Sequence, residues 1–286
     1  MGSEMCIRDS YYCTALQSMK IPSSVTSLGE GCFYGCTVLK SIEISSSVTS
    51  FGDKCFYNCI ALQSMKIPSS VTSLGDWCFA YCSTLQSITI QTSPTSVISL
   101  GNYCFRGCSS LQTIELPSSV TSLGSGCFLS CTALQAIEIP SSVTSLGDCC
   151  FEGCSALTSI KIPSSVTNIG SESFDGCWEL TDVICEAINC PIVHSDDYGD
   201  NLGFFHIKSA TLYVPEESVE LYKNTEPWSQ FGNIKAIGTT GLNGVTVDET
   251  NETQDIYGID GKRRHAVKSG VNTVSYTHLT LPTNSR

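Results

Sequence analysis

Apolar side chains recur along this chain in a short pattern that keeps restarting. In Leu62-Gln-Ser-Met-Lys-Ile67 the first, fourth and sixth positions are apolar, and the last two alternate with polar Ser64 and Lys66. That alternation predicts a short half-buried strand. Pro68 cannot donate to a sheet ladder, so the strand is predicted to end there. Ser69 and Ser70 form a polar turn, and Val71 and Leu74 return to the interior. Gly75, an often acidic position and Cys78-Phe79-Ala80-Tyr81-Cys82 follow, and this last stretch is predicted to be one short helical turn on the opposite side.

The same unit, 23 residues long, occurs seven times between Ile21 and Ile184, after a partial copy that begins at Tyr11. A period in the twenties carrying Leu-x-x-Ile-x-Ile is the mark of a leucine-rich repeat. The predicted fold is therefore an α/β solenoid: a right-handed coil with a parallel concave β-sheet, short convex helical turns and a C-terminal cap. No repeat can bury its apolar face alone, so each depends on its neighbours. Phe33, Phe56, Phe79, Phe105, Phe128, Phe151 and Phe174 occupy one position and should stack as a spine. Gly29, Gly52, Gly75, Gly101, Gly124, Gly147 and Gly170 occupy another, which predicts either a positive-φ residue or a close backbone approach. One copy is three residues longer, through Ile90-Gln-Thr-Ser-Pro-Thr-Ser-Val97; this insertion should bulge outward without breaking the stack.

Thr211 to Val214 reads as a last strand and Glu216 to Tyr222 as a helix with acidic residues in its first turn. Together they suit a cap over the otherwise open end of the stack. Residues 185–237 are thus an irregular segment plus cap, and 238–255, rich in Gly, Thr and Asn, read as a linker.

A formal charge of −12 and a pI near 4.7, with no basic stripe, exclude a nucleic-acid partner. No apolar run approaches the length of a transmembrane helix. Eighteen cysteines invite a disulfide or metal reading. Most fall in pairs such as Cys32/Cys36, Cys55/Cys59, Cys78/Cys82, Cys104/Cys108 and Cys127/Cys131, which form two parallel rows along a rod. A zinc site needs two such pairs converging on one point. Packing as small buried hydrophobes suits the rows better, and Ser173 replaces one thiol without disturbing the period. Disulfides stay open, with Cys185 and Cys190 the first pair to suspect. No metal and no cofactor is expected.

Two surfaces are candidates for recognition. On the concave side the outward row is Lys20, Glu43, Lys66, Thr89, Glu115, Glu138 and Lys161, beside Ser18, Ser41, Ser64, Ser87, Thr113, Ala136 and Ser159. The plainer reading of the charged row is a ladder of cross-strand ion pairs, each contributing under about 1 kcal/mol. On the convex side Tyr57, Trp77, Tyr81 and Tyr103, with Tyr34, form an aromatic patch. Catalysis finds little support: His194, Asp196, Asp197 and His206 lie in the irregular segment without convergent partners, and His278 is near the end of the chain. Asn251-Glu-Thr253 fits a glycosylation acceptor only in a eukaryotic secretory setting.

The wording Ile-Pro-Ser-Ser-Val-Thr-Ser-Leu-Gly-x-x-Cys-Phe-x-x-Cys-x-x-Leu resembles the BspA-like class of leucine-rich repeat, over roughly Tyr11 to Ile184. That class usually carries Ala where this chain has Cys78 and its equivalents. The resemblance implies a secreted or surface-attached, non-catalytic protein-binding or adhesion scaffold of Bacteroidetes type, with a protein or host-surface ligand. A structural spacer that displays another domain is the rival reading. Ala210 to Lys223 and Trp228 to Lys235 resemble the terminal unit of such solenoids. Residues 256–274, with Asp260-Gly261 as a hairpin turn, are similar to a small β-rich module for secretion or attachment. Residues 1–10 and 275–286 resemble translated sequencing-adapter read-through, so the chain is expected to be an internal fragment.

Overall fold

The computed structural model describes residues 12–91, 99–195, 204 and 209–238, and the backbone of two short strands at 256–257 and 263–264. The insertion loop, both chain ends, nearly all of the linker and the Asp260-Gly261 turn lie outside these residues. Two compact units divide at Thr240 and Gly241. The second contains the antiparallel pair Ile256–Tyr257 with Arg263–Arg264.

The first unit is a parallel β-solenoid. Its longer strands fall where the alternation predicts, at Ser41–Glu43, Ser64–Ile67, Ser87–Ile90 and Ser159–Ile162 among others. They pair in parallel with like positions opposed, as in Met65 with Ile88 and Ile67 with Ile90. In-register stacking therefore places identical side chains about 4.8 Å apart. Along the Phe row the rings from Phe33 to Phe174 stack at centroid distances of 5.2–5.5 Å and are fully buried. The row continues to Phe204, 5.0 Å beyond Phe174, which the sequence reading left in the irregular segment.

A second, seven-stranded parallel sheet runs beside the first and was not anticipated. It is built from two-residue strands, including Ser73–Leu74, Ser99–Leu100 and Ser122–Leu123, at the position that is Ser-Leu in most repeats. Leu74 pairs with Leu100 across the insertion, so the stack is continuous there.

The predicted helical turns around Cys-Phe-x-x-Cys are not helices; they are successive tight turns. Alternate residues donate to different places. Trp77, Phe79 and Tyr81 donate their N–H groups to Asn102, Cys104 and Arg106 in the next repeat, at 2.8, 2.8 and 2.6 Å. Ala80 and Cys82 instead donate back to Trp77 and Phe79. A helix would keep all these bonds within itself. Sending half of them along the stack requires left-handed residues at two places per turn: Trp77 and Tyr81 have φ of 59° and 61°.

Those places do not include the repeat glycine. Gly75 has an ordinary φ, and an added Cβ there would stand 2.5 Å from both the nitrogen and Oδ1 of Asp53. Close approach, not positive φ, is the reason for that glycine. The acidic position next to it is explained by the same contact. Asp53 Oδ1 accepts the Asp76 N–H at 2.9 Å, Asp76 Oδ1 that of Asn102 at 2.7 Å, and Asn102 Oδ1 that of Ser125 at 2.9 Å.

At the far end Asp182–Cys185, Thr211–Val214 and Asn233–Ala236 continue the parallel pairing. The helical stretch is a 3-10 turn at Glu216–Ser218 followed by a five-residue α-helix, Val219–Lys223. Buried Tyr222 donates its hydroxyl to Ala187 O at 2.8 Å, and Trp228 Nε1 donates to Pro191 O at 3.0 Å. Trp228 and Phe231 pack against Phe204.

Candidate interaction surface

The charged row on the longer strands is fully outward: Lys20, Glu43, Lys66, Thr89, Glu115, Glu138 and Lys161 are all exposed. The apolar residues alternating with them, Ile42, Met65, Ile88, Ile114, Ile137 and Ile160, are buried. A groove of about 820 Å³ crosses this face and is lined by Lys20, Glu43, Lys66, Thr89 and Gln91. A smaller one of about 410 Å³ lies between Glu115 and Glu138, with Leu116 and Pro140 at its sides.

The expected ladder of ion pairs is not continuous. Lys20 Nζ meets Glu43 Oε1 at 2.8 Å. Lys161, though bridged by backbone to Glu138, extends its ammonium to Glu186 at 2.8 Å. Among the described residues Lys66, Glu115 and Glu138 have no ion-pair partner. Glu115 and Glu138 are next in register after Ile114 and Ile137, so two carboxylates face solvent side by side. The serine row beside them is exposed from Ser18 to Ala136 and half-buried at Ser159.

On the opposite side the structure brings Tyr57, Trp77, Tyr81 and Tyr103 together, all half-buried. Tyr34 stacks on Tyr57 at 4.7 Å and Trp77 on Tyr103 at 4.3 Å. Arg106, which the sequence reading missed, places its guanidinium carbon 5.2 Å from the Trp77 ring centre and 5.6–5.8 Å from those of Tyr103 and Tyr81. Tyr81 and Tyr103 also lie over Gly107 and Gly126 of the next repeat. Much of each ring is therefore engaged within the stack.

Every described cysteine is a free thiol. The second of each pair has a specific partner: Cys82, Cys108, Cys131, Cys154 and Cys177 donate S–H to the Phe carbonyl of the preceding repeat at 3.1–3.2 Å. Burial pushes the Cys131 and Cys177 thiols up to about 12. Buried inside the stack and bonded to backbone carbonyls, the row thiols are closed off from ligands and reagents. Ser173, in the first row, has its hydroxyl 2.8 Å from Gly170 O and 2.9 Å from Gly147 O. Cys185 lies 3.3 Å from the Tyr222 hydroxyl. His194 is exposed and its backbone N–H goes to Ile169 O. Asp196, Asp197, His206, His278 and Asn251 lie outside the described residues. No helix among the described residues is long and apolar enough to cross a membrane.

The chain matches the family described as BspA type leucine rich repeat region, in 6 copies, over residues 7–96 and 92–194. Among solved structures it is similar to a leucine-rich repeat protein of Bacteroides ovatus, with 26% identity and a TM-score of 0.55. That match covers 79% of this chain and 62% of the other. A leucine-rich repeat protein of Eubacterium ventriosum shares 29% identity at a TM-score of 0.50, covering 56% of this chain and 42% of the other. The chain thus spans less than two thirds of the length of either. No curated protein matches it.

Proposed function

This chain belongs to the BspA-type leucine-rich repeat family, and from that membership we propose that it is a non-catalytic adhesion scaffold at the bacterial cell surface. Its ligand is a protein or host-surface molecule held along the face of the longer strands. The observation that carries this reading is the set of exposed charges on that face, of which Lys66, Glu115 and Glu138 have no ion partner among the described residues. Lys66 lies within a strand, and Glu115 and Glu138 directly follow the paired strands Thr113–Ile114 and Ala136–Ile137, so the backbone that presents them is already ordered. The terminal unit from Thr211 to Ala236 acts as the cap, covering the last apolar rows with Trp228 and Phe231.

The test is binding of the full chain to immobilised host mucosal glycoproteins, compared with a Lys66→Glu/Glu115→Lys/Glu138→Lys variant. Loss of binding in the variant with unchanged circular dichroism supports the reading. Binding that survives the reversal but falls on Arg106→Ala moves the site to the aromatic side. The spacer reading is favoured by the uniform serine row, and it predicts no saturable binding to any host fraction.

A further inference from the structure

On the turns, one thiol and two carboxylates come together outside the two cysteine rows. Cys149 sits two residues after the repeat glycine, the place of Gly31, Lys54, Trp77, Tyr103, Gly126 and Glu172 in the other copies. It belongs to neither thiol row and is half-buried. Its Sγ is 3.6 Å from Glu172 Oε2 in the next turn. Glu152, three residues further along the same turn, completes the group: ligand atoms of Cys149, Glu152 and Glu172 all lie within 4.8 Å of one another. We propose that these three side chains bind one divalent cation of the zinc class, with water as the fourth ligand.

The spacing fits such an ion. Zn–S and Zn–O bonds of about 2.3 and 2.1 Å at a tetrahedral angle set a sulfur-to-oxygen edge of about 3.6 Å. The observed separation of Cys149 Sγ from Glu172 Oε2, 3.6 Å, matches that edge.

The donor set also selects the ion. Calcium and magnesium take oxygen ligands, whereas thiolate with carboxylate suits zinc, cadmium or cobalt(II). Without a cation, burial and the two carboxylates hold the Cys149 thiol protonated. A bound dication reverses that balance, so the thiol proton leaves to solvent as the metal–sulfur bond forms.

The repeat supplies the controls. Cys149 and Glu172 have φ of 54° and 56°, where Gly31 and Gly126 serve in sibling turns. Cys149→Gly should therefore keep the fold while removing the sulfur ligand. The reduced, metal-free full chain is titrated with cadmium, reading the thiolate-to-metal charge-transfer band and the stoichiometry. One equivalent should bind, and Cys149→Gly should abolish the band and weaken binding by roughly 100-fold. Glu152→Gln and Glu172→Gln should each weaken it roughly 10-fold or more. Equal binding by the wild type and Cys149→Gly overturns the proposal. A band unchanged in both Gln variants also overturns it, because that outcome means a single thiol binding cadmium without the carboxylates.

Discussion

Replacing Gly75 by alanine tests the close approach of neighbouring turns, because two effects of opposite sign compete there. Gly75 has no positive φ, so alanine reduces the freedom of the unfolded chain and on that ground alone stabilises the fold by about 0.4–1 kcal/mol. Against this, the new methyl would stand 2.5 Å from the Asp53 nitrogen and Oδ1 and 2.6 Å from the Gly52 carbonyl carbon. Ordinary contact between heavy atoms begins near 3.5 Å, so the two turns must separate locally by close to 1 Å.

That separation strains both hydrogen bonds that flank the contact, Gly75 N–H to Phe51 O and Asp76 N–H to Asp53 Oδ1, each 2.9 Å. Loss of two such bonds costs about 1–3 kcal/mol, and overpacking against backbone adds about 1–3 kcal/mol. The net expectation is destabilisation by about 1–5 kcal/mol, read as a lower urea midpoint by circular dichroism. Gly153→Asn is the control. Gly153 has φ of 71°, its added Cβ would meet nothing closer than 3.4 Å, and Asn58 already occupies the equivalent place. That variant should lie within about 1 kcal/mol of wild type. A Gly75→Ala protein as stable as wild type would refute the close-approach account.

Phe105→Ala removes a ring stacked at 5.5 Å on both Phe79 and Phe128 and should cost about 3–5 kcal/mol in the same assay; a loss below about 1 kcal/mol would show that the spine is not a stabilising unit. Ser173→Cys restores the thiol row and should be nearly neutral, while Ser173→Ala leaves two buried carbonyl contacts unmade and should cost about 1–2 kcal/mol. Stability should also fall in alkali. The Cys131 and Cys177 thiols are raised from 9.0 to about 12 in the fold, so the unfolded chain loses protons first and each thiol removes about 1.4 kcal/mol per pH unit between those values. A urea midpoint unchanged from pH 8 to 10.5 would contradict the buried-thiol picture.

What could be read from the sequence is what in-register stacking enforces. Phe79, Leu85, Ile88 and Val71 recur at one period because each contacts its own counterparts, so the pattern carries both the strand and the spine. The left-handed turn positions were harder to see. Their signal is scattered: glycine occupies them only at Gly31 and Gly126, and at Gly35, Gly107, Gly153 and Gly176, while Trp77, Tyr81 and Cys149 stand there in other copies. Comparing glycine across all columns of the repeat would have exposed two further columns besides the invariant one. Phe204 was missed because the segment between Val193 and Thr211 breaks the period, although the ring lands in register. The ion ladder was misjudged because backbone register does not bind a long side chain: Lys161 reaches Glu186 and leaves Glu138.

The same logic narrows where binding should be sought. In a stack of near-identical turns, a departure from uniformity that serves the fold comes with a local replacement. Ser173 replaces a thiol and still meets two carbonyl groups; Asn102 replaces an acid and still accepts the next N–H. The long-strand face contains departures of a different kind. Glu115 and Glu138 put like charges side by side, which weakens a sheet by a few tenths of a kcal/mol, and no cation among the described residues offsets them. A spacer would gain from replacing either with serine or lysine. A scaffold that captures a basic group between Leu116 and Pro140 would keep both, so Glu115→Ser/Glu138→Ser separates the two. It should raise stability slightly in either case, and only in the scaffold should it reduce capture of the ligand.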